Sequence, residues 1–144
     1  MMYVSESNLA SVPVKETTGR EAGRLYFIPN DVGLHYRAIE AQKRMMAAIV
    51  EPLHKCTSLY PDGRGVDPES EAVVQNAERN ISEIINSICG VETAAEAFRE
   101  HNPFAAMPDG TFWASAVLEA LNAADAHVLE NLKKINGSKK WRKH

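Results

Sequence analysis

From Pro68 onward the apolar residues Val74, Ala77, Ile81, Ile84, Ile85 and Ile88 recur every three or four positions, with Gln75, Glu78, Arg79, Ser82 and Glu83 between them. That period places one apolar stripe on an α-helix and predicts that the stripe faces a core. Asp67 can cap this helix, Pro68 suits its first position, and Glu69 and Glu71 favour the positive end of its dipole. Gly90 follows Cys89 and supplies a left-handed terminator. A second stripe, Trp113, Val117, Leu121, Ala124, Val128, Leu132 and Ile135, alternates steps of four and three and predicts a long last helix from about Thr111 to Asn136, capped by Asp109 and stopped by Gly137.

Two other segments are less regular. Val32, Leu34, Tyr36, Ile39, Met46, Ile49, Val50 and Leu53 partly follow helical steps, with Ala38, Ala41, Ala47 and Ala48 as good helix formers between them. They predict a first long helix capped by Asn30 or Asp31 and kinked or ended by Pro52. Residues 57–67, with Pro61, Asp62, Gly63 and Gly65, read as a loop. Between the second and last long helices, Thr93 and Glu96 have the spacing of a capping box for a short helix over about Ala94 to His101 that carries Phe98 and ends before Pro103.

The start of the chain shows no helical period. Val12 to Lys15 and Arg24 to Ile28 are β-prone runs flanking a turn with Gly19 and Gly23, so a short hairpin precedes the helices. The fold class expected is mainly α: a bundle of three long helices and one short one behind a short N-terminal β element. Residues 1–22 form a loosely ordered arm, residues 23–136 a single helical domain with a leading strand, and residues 137–144 a mobile tail.

The length of 144 residues suits one core, and 44% apolar with 24% charged residues is ordinary for a globular domain. No run approaches the roughly 20 apolar residues of a membrane span, and the start lacks a secretory pattern, so a cytoplasmic protein without a membrane partner is expected. Cys56 and Cys89 stand apart, with no metal or redox spacing. Charge is uneven: Lys133, Lys134, Lys139, Lys140, Arg142 and Lys143 put +6 on the last twelve residues, whereas the preceding 132 carry 10 basic and 19 acidic side chains. With Trp141 among them, Lys139, Lys140, Arg142 and Lys143 form a candidate anion-binding tail, able to meet a nucleic-acid backbone or only solvent.

Candidate catalytic chemistry is sparse. Glu51 with His54, and His127 with Glu130, have one-turn spacings known from helical metal sites, but in opposite senses and with Pro52 inside the first pair. Glu92, Glu96 and Glu100 fall four apart on the expected short helix, without a matching acidic pair on a second helix. His35, His101 and His144 have no partner by spacing, and phosphate-loop, nucleophile-elbow and zinc-protease motifs are missing. No enzyme activity, no metal and no cofactor is expected.

Taken in order, Leu25 to Ile28, the helix led by Asp31, Ile84-Ile85 with Ile88-Cys89-Gly90, Ala94-Ala95 with Phe98, and the helix after Phe112 resemble the tail assembly chaperone-like proteins of tailed phages and prophages. Cys89 stands where an aromatic residue usually precedes the glycine, and the turn at residues 16–23 and the loop at residues 102–110 are additions to that pattern. The resemblance implies a non-enzymatic protein of the bacterial host cytoplasm that keeps tape-measure or tail-tube subunits soluble before they polymerise. Ile84, Ile85, Ile88, Phe98 and Phe104 are the candidate partner-binding residues. Oligomeric state stays open, a homo-oligomer included.

Overall fold

The computed structural model describes residues 9–55 and 68–136. Over those residues the chain is mainly helical, with four helices and a short two-stranded antiparallel sheet: β1 (Ala10–Lys15), β2 (Glu21–Phe27), α1 (Leu34–Lys55), α2 (Pro68–Cys89), α3 (Ala94–Ala97) and α4 (Trp113–Asn136). The cap expected at Asp67 and the loop expected over residues 57–67 lie outside the described residues.

The short hairpin expected from Val12 to Lys15 and Arg24 to Ile28 is present, so the arm expected over residues 1–22 is sheet from Ala10 onward. Ala10 pairs with Phe27 and Val12 with Leu25, and the register shifts between Val14 and Lys15. Val14, Ala22, Leu25 and Phe27 are fully buried, and burying that apolar face is what holds a two-stranded sheet that would be marginal alone. The turn closes through Gly19, whose φ of +92° suits glycine, with its N–H donated to the Glu16 carbonyl at 2.8 Å. The sheet lies against α3 and α4, and α1 packs against α2 and α4. Gly23 lies against α3: a Cβ there would clash with the Ala97 carbonyl oxygen. The same oxygen accepts the indole N–H of Trp113 at 2.9 Å, so one carbonyl joins strand, short helix and long helix.

The stripe of α2 faces inward as its period implies, with Ala77, Ile81, Ile84, Ile85, Ile88 and Cys89 all buried. So does that of α4 from Trp113 to Val128, although Ile135 near its end is exposed. Gly90 takes φ +76° and returns its N–H to the Asn86 carbonyl at 2.9 Å, ending α2 in the expected left-handed conformation. Arg37 of α1 completes that end by donating from Nε and Nη2 to the Ile88 carbonyl, at 3.1 and 2.9 Å.

Several local expectations are corrected. The Thr93–Glu96 capping box does not form. The Thr93 hydroxyl, in a fully buried residue, accepts the Tyr26 amide at 2.7 Å, and the amides of Thr93 and Ala94 are capped by Asn86 Oδ1 at 2.7 and 2.8 Å. An oxygen committed to the sheet is not free for its own helix. The short helix ends at Ala97, so Phe98 is its C-terminal cap and Glu100 lies beyond it. Asp109 does not cap α4; it accepts the Thr111 amide and hydroxyl at 3.0 and 2.7 Å in the preceding turn. The first amides of α4 go instead to backbone carbonyls, Trp113 to Ala105 and Ala114 to Pro103, each at 2.9 Å. α1 starts at Leu34, after Asp31 has accepted the Gly33 amide at 3.0 Å, and continues past Pro52 to Lys55.

Candidate functional site

Of the expected partner-binding residues the three isoleucines are buried and the two phenylalanines partly so. Ile84, Ile85 and Ile88 are 6%, 0% and 1% exposed, and Phe98 and Phe104 are partly buried against the same core. A side chain already surrounded by its own fold has no area left for a partner, so the assignment is corrected at Ile84, Ile85 and Ile88. Burial of the isoleucine stripe follows from α1 covering it.

Most of the large apolar side chains that reach solvent belong to α1 and the turn before it; Leu129 and Ile135 of α4 are the others among the described residues. Val32 and Tyr36 are 73% and 75% exposed, Ile39 and Met46 54% and 51%, and Val50 36%. The first helix therefore has two apolar faces, and the core takes the one built from Leu34, Ala41, Met45, Ala48 and Ile49. On the outer face Tyr36, Ile39, Lys43, Met46 and Val50 are spaced three, four, three and four apart, one straight row about 21 Å long at 1.5 Å per residue. Glu40, Arg44 and Glu51, all exposed, edge the row on one side, and exposed Gln42 on the other.

On the Gln42 side the row borders a groove of about 160 Å³ between α1 and α4. Buried Met45, Ile88 and Leu121 form its floor, and Leu118, Asn122 and Asp125 its far wall. At its end His35 of α1 places Nδ1 2.9 and 2.8 Å from the two carboxylate oxygens of Asp125 of α4, tying the helices together across 90 residues of sequence. A wider cleft of about 510 Å³ opens between α1 and α2, where Ala47, Ala48 and Ala77 leave space beneath Arg44, Glu51, Asn76 and Asn80.

The other titratable groups form structural ties. Glu16, in the hairpin turn, receives Arg20 Nε and Nη2 at 3.0 Å each and approaches His101 Nε2 at 2.7 Å. The hydrogen bonds from Arg20, then that from His101, hold the Glu16 carboxyl at about 2, below its usual range. Glu100 is lowered chiefly by its 2.6 Å contact with Arg20. His101 also packs its ring edge on Trp113, with centroids 4.9 Å apart. Cys89 is fully buried, and burial pushes its thiol up to about 12, a core side chain and not a nucleophile.

The spaced acids and histidines do not converge. Glu96 pairs with Arg99 at 3.2 Å and Glu100 with Arg20, while His127 packs edge-on against Phe27 at 5.5 Å. Among the described residues no three His, Cys, Asp or Glu side chains gather as metal ligands would. The side chain of His54 and the tail residues Lys139, Lys140, Trp141, Arg142 and Lys143 lie outside the described part. Both histidine–carboxylate pairs escaped the sequence because their partners are 90 and 85 residues away. The outer row of α1 was legible as spacing, but its direction was not. Among the described residues no helix is long and apolar enough to cross a membrane. No protein-family model, curated protein or solved structure matches the chain.

Proposed function

We propose that this is a non-enzymatic binding protein, an assembly chaperone or adaptor, that holds a partner polypeptide on the outer face of α1. The observation that carries the reading is the row of exposed apolar side chains at helical spacing, Tyr36, Ile39, Met46 and Val50, beside a groove with an apolar floor. A row of this kind costs solubility unless something covers it, and such patches mark interaction surfaces. The resemblance of the sequence to phage tail assembly chaperones names the partners to try first, the tape-measure and tail-tube proteins, and a bacterial cytoplasm as the place.

Co-expression with those two proteins is the test. A complex that survives purification, and is lost in Tyr36→Ser and Ile39→Ser variants with unchanged circular dichroism, is the expected result. Absence of a complex with folded, soluble partners refutes the reading. A second reading rests on the +6 charge of the last twelve residues: the tail contacts nucleic acid. It requires binding that falls steeply with salt and vanishes when residues 137–144 are removed.

A further inference from the structure

We infer that the polypeptide held on α1 is an amphipathic α-helix lying along the α1–α4 groove, with a carboxylate set against Lys43; this rests on the docking reading above and specifies its partner.

The first argument is period. Positions 36, 39, 43, 46 and 50 repeat every 3.5 residues on average, which keeps a row facing a second helix along its whole length. An extended strand, with side chains on one face about every 6.6 Å, falls out of step with this row within two contacts. Ile39 and Met46 of the row also line the groove, so an occupant's apolar side chains have a place to enter between α1 and α4, in the manner of a helix laid in a groove.

The second argument is charge. Lys43 is the one charged member of the row between Tyr36 and Val50, and it is exposed. Any occupant that covers the row takes the ammonium group out of water, a penalty that a facing carboxylate offsets. Asp125, on the far wall of the groove, is held by His35 at 2.8 Å. Glu40, one turn before Lys43, edges the row without lying in it, so a carboxylate that faces Lys43 across the row comes from the occupant. Two copies paired row to row do not supply it: Lys43 is the midpoint between Tyr36 and Val50, so antiparallel pairing of two α1 rows sets lysine against lysine, and in-register parallel pairing does the same. In-register pairing of two rows thus meets a repulsive element of the kind that specific interfaces commonly carry.

Two labelled synthetic helical peptides test this on the full chain. Both carry leucines at matching heptad positions, and they differ at the central position of the apolar row, glutamate in one and lysine in the other, so that the residue meets Lys43 in either orientation. Fluorescence anisotropy is expected to show at least tenfold tighter binding of the glutamate peptide, reversal of that order by Lys43→Glu, and loss of binding in Ile39→Ser. Equal binding of both peptides, abolished by Ile39→Ser, overturns the charge inference and leaves the docking face standing. Failure of both peptides to bind overturns the helical partner, and the co-expression result then decides the docking reading separately. Sedimentation of the wild-type chain as a dimer that Ile39→Ser dissociates also overturns the inference, in favour of a second copy.

Discussion

Helices α1 and α2 are both 22 residues long and both amphipathic, yet they use their apolar residues in opposite ways. In α2 the branched side chains Ile81, Ile84, Ile85 and Ile88 all point into the core and the outward positions are polar. In α1 the core receives Leu34, Ala41, Met45, Ala48 and Ile49, while Tyr36, Ile39, Met46 and Val50 are turned to solvent. One helix has spent its apolar face on the fold. The other keeps a surplus, and a surplus in a straight row points to something outside the fold that uses it.

The contrast can be broken most forcefully in α2. Ile85→Ala, at a fully buried position, is expected to cost about 2–5 kcal/mol in urea unfolding. A cost under 1 kcal/mol would mean that the α2 stripe is not the packed face described. Next is Asn86→Ala, which removes the acceptor of the Thr93 and Ala94 amides and is expected to cost about 1–3 kcal/mol by the same measurement.

Smaller again is the effect of the hairpin tie. Glu16 is held at about 2 against an ordinary 4.5, so its contribution to stability is complete above the ordinary value and is lost as pH falls towards 2. Thermal unfolding of Glu16→Gln should therefore show a flatter acid limb between those two values, with Arg20, Glu100 and His101 as the facing charges. The smallest effect on stability belongs to the outer row. Ile39→Ser is expected to change unfolding free energy by no more than about 0.5 kcal/mol, as surface substitutions do, while abolishing partner binding. A large loss of stability there would place Ile39 in the fold and remove the contrast between the helices.

What could be read from the residues alone divides along the same line. The stripes of α2 and α4 were legible because each has one apolar face and one polar face, leaving a single way to bury it. In α1, apolar residues occur on both sides, Leu34, Ala41, Met45, Ala48 and Ile49 on one and Tyr36, Ile39, Met46 and Val50 on the other, so the pattern gave no single face to bury, and α2 and α4 pack against the first. Ile84, Ile85 and Ile88, the residues expected to meet a partner, are the ones that α1 covers. Local hydrogen-bond motifs misled where a distant group competed, as at Thr93, whose hydroxyl serves Tyr26 from 67 residues away. The metal-like spacings dissolved because period places two residues on one helix face but says nothing of what the opposing helix brings.

That bond from Tyr26 to Thr93, together with the one from Asn131 Nδ2 to the Pro29 carbonyl at 3.1 Å, has a consequence for how the chain is made. The hairpin is the first described element to leave the ribosome, and the surfaces that bury Val14, Leu25 and Phe27 are encoded in the second half of the chain. During translation those strands wait with an apolar face uncovered, for as long as it takes to add more than sixty residues at about 5–20 per second. A protein that we read as a guardian of other unfinished subunits thus passes through a stage of several seconds in which its own β-sheet is unfinished.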